Sequence, residues 1–113
     1  MSSISTTTIT PVSMAPQYTS ENLVRGFDFT PQLSITGDTF IGTPTVTATV
    51  LVWVDPSPQN ILSGSPSLSA NSMQILQRVT GGVAGVGYLL HFQCGTAQGN
   101  TLVEEGIIYM VGG

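Results

Sequence analysis

From about Leu23 to the C-terminus, apolar and polar residues alternate with the two-residue period of a pleated strand. Gly or Pro interrupts the pattern roughly every 8 to 12 residues, the rhythm of an all-β sandwich or barrel. No stretch follows a helical period, so strands are predicted over 24–30, 39–41, 45–54, 61–62, 73–80, 87–95 and 102–111. In the longest of these, Val46, Ala48, Val50, Val52 and Val54 form one face and Thr45, Thr47 and Thr49 the other. Leu51 and Trp53 then make the second face apolar too, which predicts cover on both sides at that end, with Trp53 in the core. Ile107, Tyr109 and Val111 against Ile108 and Met110 repeat this two-sided pattern at the C-terminus. In a small two-sheet domain one such face points outward, and an outward apolar patch marks an interface.

Residues 1–20 are of another kind. They are rich in Ser and Thr, broken by Pro11 and Pro16, and carry isolated apolar side chains at Ile4, Ile9, Val12, Met14 and Tyr18. Such a segment buries too little to offset its ordering entropy alone, so it reads as an extended arm whose apolar residues grip another subunit. The division expected is an arm over 1–20 and one sandwich domain over 21–113, with removal of 2–18 leaving the sandwich folded.

The chain has 113 residues, enough for a single core, and only 7% are charged, with no lysine. Typical soluble domains carry about 25%, and a surface wetted by Ser, Thr, Gln and Asn suits packing against other subunits. With a formal net charge of −4 and two cations, Arg25 and Arg78, phosphate neutralisation is out of reach and nucleic acid is not an expected partner. No apolar run reaches the ~18 residues of a membrane helix, so no membrane partner is expected. A single cysteine, Cys94, permits no internal disulfide, and the N-terminus lacks the pattern of a signal peptide, which predicts assembly in a reducing cytoplasm.

Reactive groups are sparse. His91 is the lone histidine, and its strand neighbours Leu89 and Gln93 offer no catalytic partner. Cys94 lies on an apolar strand face and reads as a small hydrophobe. Glu104 and Glu105 are adjacent on a strand and point to opposite faces, which prevents a carboxylate pair. Asp28, Asp38 and Asp55 lack the compact spacing of a calcium loop, and Gly81, Gly82, Gly85 and Gly87 do not fit a phosphate-binding order. No enzyme, cofactor or metal is expected. Gly81, Gly82 and Gly85 are instead expected to permit positive φ between two strands. Tyr88 just after them is placed like the tyrosine corner of Greek-key sandwiches, tying the crossover to the next strand.

Several of these elements together resemble a family of small tailed-bacteriophage proteins, the fiber-tail adaptors. They are the Asp55-Pro56 turn, Leu62-Ser63-Gly64, the strand 74–79 followed by Gly81-Gly82-Val83-Ala84-Gly85, Tyr88, the Gly99 hairpin and the closing Val111. Upstream, Phe27-Asp28-Phe29 and Gly37-Asp38-Thr39-Phe40-Ile41 are similar to the family's opening strand and the segment after it. The likeness covers about residues 25–111 and consists mostly of turn chemistry. It implies an immunoglobulin-like β-sandwich of about seven strands. It also implies a structural virion protein, assembled in the host cytoplasm, that joins tail or neck to fibers in a symmetric ring. The partners implied are tail, neck or fiber proteins and copies of itself. A head decoration protein of the same fold, or a carbohydrate-binding or adhesin module using Trp53, are the alternatives.

Overall fold

The computed structural model describes residues 11–112. Among the described residues eight strands are present: β1 (Val12–Ser13), β2 (Gln17–Tyr18), β3 (Asn22–Asp28), β4 (Thr45–Val52), β5 (Leu62–Leu68), β6 (Gln74–Thr80), β7 (Gly87–Gly95) and β8 (Thr101–Val111). They form two sheets. One has the order β1-β8-β7-β4, with β2 also on β8, and the other has the order β3-β6-β5. All pairings are antiparallel except those of β1 and β2, which run parallel to β8. The protein is therefore all-β, as the alternation predicts.

Alternation along β7 decides which side is inward. Tyr88, Leu90, Phe92 and Cys94 are buried, and their cross-strand neighbours Ile108 on β8 and Ala48 on β4 are buried with them. From the second sheet Phe27, Ile75 and Val79 face them. Phe27 links the layers, its ring 5.3 Å from both Phe29 and Phe92, and Phe40 meets Phe29 edge-on at 4.9 Å.

Two elements depart from the expected strands. Residues 30–34 form a short α-helix, α1 (Thr30–Ser34), with Pro31 in its first turn and Leu33 buried beneath it. Pro at that position is compatible with a helix because its missing N–H has no intrahelical partner. A one-turn 3-10 helix, Pro58–Ile61, precedes β5 and buries Ile61. Around Phe40 the expected strand is a single bridge to Thr96.

The expected arm over 1–20 also needs correcting in its described half. Val12–Ser13 pair with Gly106–Ile107 and Gln17–Tyr18 with Met110–Val111, so this stretch is the edge of the sandwich. Gln17 is wholly buried: its Nε2 donates to Val79 O at 2.8 Å and its Oε1 accepts from Arg25 at 3.0 Å. Arg25 also donates to Ala15 O at 2.6 Å. Met14 packs on the core, where its Sδ fills the space over Gly106 that a Cβ would need. Removing 2–18 would thus strip buried groups from the body. Of the arm residues named from sequence, Val12 and Tyr18 keep half-exposed side chains; Ile4 and Ile9 lie outside the described residues.

Candidate interaction site

An exposed apolar cluster lies at the end of β4. Register shifts between Val50 and Val52, which places Val52 opposite Gly87 and leaves Leu51 in the bulge. The strand stops there, and Trp53 adopts φ 70°. A bulky residue in that left-handed region costs about 1–2 kcal/mol. The turn carries Trp53 and Val54 clear of both sheets, leaving them 77% and 72% exposed. Leu51, Val52, Tyr109 and Val111 are exposed as well, and the β4-β7-β8 register brings Val52, Gly87 and Tyr109 into one cross-strand row. Gly87 is required in that row because the Tyr109 ring lies across it, so that a Cβ would stand 2.8 Å from the ring. The sequence expectation that Trp53 belongs to the core and that this end is covered on both sides is therefore corrected for the chain by itself. The cause is the bulge, which ends the strand one residue before Trp53.

The base of this ridge is fixed by the glycine-rich crossover. Tyr88 is fully buried, and its hydroxyl donates to Asp55 Oδ2 at 2.6 Å while accepting from Val83 N–H at 3.0 Å. Asp55 Oδ1 accepts from Ser57 N–H at 2.9 Å, so both carboxylate oxygens are engaged two residues beyond Trp53. Burial and the neighbouring Asp55 push the phenol up to about 12. The same hydroxyl, with the Ser57 N–H, holds Asp55 below the ordinary carboxylate range. Gly81, Gly82 and Gly85 have φ of 69°, 93° and 89°, as the turn chemistry predicts. Gly82 has a second requirement: a Cβ there would sit 3.0 Å from Met110 and 3.3 Å from Ile61 and Tyr88.

The remaining polar residues serve local order. Asp28 accepts from the Thr30 hydroxyl and N–H, which lower its pKa. Burial alone would raise the Asp38 carboxyl. Hydrogen bonds from Thr96, Thr39, Gln98 and Asn100 outweigh it and bring the group below its ordinary value. The three aspartates thus occupy three separate turns, and among the described residues no group of three acidic, His or Cys side chains could hold a metal ion. Cys94 is buried, with Sγ 3.4 Å from Ile41 O, and burial pushes its thiol up. Glu104 and Glu105 diverge, Glu104 accepting from Gln32 at 2.7 Å and Glu105 lying 3.3 Å from His91 Nδ1. The His91–Glu105 pair is cross-strand and so invisible to a search among strand neighbours. The two cations are also spent locally, Arg25 on the β1–β2 connection and Arg78 on Asn22 at 3.1 Å.

Fold and site together define an all-β, two-sheet protein with an exposed apolar ridge around Trp53. No protein-family model, curated protein or solved structure matches the chain. Nothing in these comparisons indicates a fiber-tail adaptor family.

Proposed function

We propose that this chain is a structural virion subunit of tailed phage, an adaptor joining tail or neck to fibers in a symmetric ring, built on an immunoglobulin-like sandwich. Strand order supports the fold: β3, β6 and β5 in one sheet and β8, β7 and β4 in the other follow the B-E-D and G-F-C arrangement, with a tyrosine as second residue of β7, the fifth of those strands. The observation that carries the function is the ridge at Leu51, Trp53 and Val54. A nearly uncharged domain that spends backbone strain to hold a tryptophan in solvent is built to bury it against another subunit.

Native mass spectrometry of the purified chain tests this reading. A closed ring of one copy number is expected, with Trp53→Ser shifting it to monomer while the circular dichroism spectrum is unchanged. A wild-type chain that stays monomeric at high micromolar concentration, alone and with tail, neck and fiber proteins, overturns it.

The exposed Trp53 also meets the chief requirement of a carbohydrate-binding module. Its surroundings argue against that reading, since Leu51, Val52 and Val54 offer no hydrogen bonds and both Asp55 oxygens are engaged. A saccharide-dependent change in tryptophan fluorescence would favour the module.

A further inference from the structure

The β3-β6-β5 sheet carries a groove on the side turned away from the core. Register makes two cross-strand rows there, Val24–Arg78–Ser63 and Gly26–Leu76–Ser67. Their neighbours along β6, Ile75, Gln77 and Val79, are buried, so these rows face outward. Two features hollow the surface. β5 leaves β6 between Ser63 and Ser67, where three residues oppose Gln77 alone, and the Gln77 amide donates across the gap to the Ser63 and Gly64 carbonyls at 3.2 Å. Gly26 has no side chain, and Leu76 Cδ2 takes that space, 3.0 Å from where a Cβ would stand. The result is a cavity of about 470 Å³ bounded by Arg78, the bulged part of β5, and the apolar side chains of Val24 and Leu76.

Arg78 supplies the one formal charge of this lining. Its Nη1 donates to the neutral Asn22 Oδ1 at 3.1 Å, and the one ion pair among the described residues is His91–Glu105, so the guanidinium has no carboxylate partner there. We propose that the groove receives Trp53 of a second copy of the chain, with the Arg78 guanidinium against the indole face. The inference rests on the reading of the chain as a self-assembling subunit and names the surface its ridge meets. A guanidinium without a carboxylate is free to stack on an aromatic ring, and tryptophan is the ring that attracts a cation most. Val24 and Leu76 give the indole an apolar bed, and the cavity falls in the size range of ordinary ligand pockets. Trp53 is the single tryptophan of the chain, and at 77% exposure it is not seated in its own chain's groove. The ridge ends β4 in one sheet and the groove lies on the other, so the contact joins unlike surfaces. Such contacts repeat head to tail and close into rings.

Complementation tests this with two variants of the full chain. Trp53→Ser keeps the groove and loses the indole. Ser67→Glu keeps the indole and hands Arg78 a carboxylate inside the groove. Each alone is expected to be monomeric in sedimentation velocity with an unchanged circular dichroism spectrum. Mixed, they should pair, and the one tryptophan present should shift its emission to the blue and become shielded from iodide. Arg78→Gln, at an exposed position, repeats the test without filling the groove and should weaken association about tenfold. Wild type that assembles while Ser67→Glu assembles equally well, or a mixture that stays monomeric, would overturn the inference and leave the ring reading standing. Assembly that needs Arg78 yet survives Trp53→Ser would assign the groove to an acidic side chain and also overturn it. Wild type that is monomeric by itself overturns the inference, and the ring reading falls with it only when tail, neck and fiber proteins fail to recruit the chain.

Discussion

Tyr88 and Asp55 are joined by a 2.6 Å hydrogen bond from phenol to carboxylate that spans the space between the start of β7 and the turn after β4. The same hydroxyl takes the Val83 N–H, so one buried oxygen fixes the glycine-rich crossover and the ridge at once. Its surroundings favour the neutral phenol and the ionised carboxylate together, which makes the pair sensitive to pH from both ends.

On the alkaline side the folded phenol titrates at about 12 against an ordinary value of 10.0. A raised acid pKa means that its stabilisation is fully present below pH 10.0 and is lost as pH rises toward about 12. On the acid side Asp28, Asp38 and Asp55 are all held below 3.8, so their contributions are present above that pH and fade as it falls further. Urea unfolding across pH should show a plateau with both limbs. Tyr88→Phe should flatten the alkaline limb and cost about 1–3 kcal/mol at neutral pH, because it removes a hydrogen bond to an ionised carboxylate and the acceptor of the Val83 N–H. An unchanged alkaline limb would show that the phenol is not its source.

Gly82 and Gly85 separate two kinds of constraint. Both have positive φ, but only Gly82 has neighbours where a Cβ would go. Gly85→Ala should cost about 1–2 kcal/mol from backbone strain alone. Gly82→Ala carries the same strain plus contacts with Met110, Ile61 and Tyr88, so its melting temperature should fall further. Differential scanning calorimetry of the pair checks the order.

What the sequence made legible was the regular part of this architecture. The span 87–95 coincides with β7 because it alternates without interruption between two glycine-bounded turns. The positive φ values at Gly81, Gly82 and Gly85 follow from residue type. The short helix at Thr30–Ser34 was not legible, since five residues cannot display a 3.6-residue period, although Pro31 marks its first turn. Gln17 was hidden for a different reason. A glutamine in a Ser/Thr-rich stretch looks solvent-facing, and only the fold reveals that Val79 O and the Arg25 guanidinium surround it. Trp53 misled because alternation counts residues, and a bulge inserts one without any mark in the sequence.

The Gln17 contacts predict how firmly the N-terminal edge is held. Gln17→Ala leaves the buried Val79 carbonyl without its side-chain donor and deprives the partly buried Arg25 of its Oε1 acceptor. Burial already lowers the Arg25 pKa, against the attraction of Glu21, so losing a partner there is costly. A loss of about 1–3 kcal/mol is expected. The Met14 and Thr19 amides, which bond to β8, should exchange faster than those in the β7–β8 ladder. Equal acceleration throughout would mean global destabilisation rather than release of the edge.

Trp53 offers the sharpest separation of folding from binding. In the isolated chain its side chain is 77% exposed, so removing it forfeits little packing. Its φ of 70° is one that glycine adopts freely and tryptophan does not. Relief of strain and the greater freedom of a glycine in the unfolded chain act in opposite directions, about 1–2 kcal/mol gained against about 1 kcal/mol lost. Trp53→Gly should therefore be as stable as wild type or up to about 1 kcal/mol more so, whereas most substitutions of large residues destabilise. Association should behave in the opposite way. A buried tryptophan at the centre of an interface typically contributes 2 kcal/mol or more, so sedimentation velocity should show roughly thirtyfold weaker self-association. A variant that is less stable and equally associated would place Trp53 in the folding of the β4 turn and take the ridge out of the assembly.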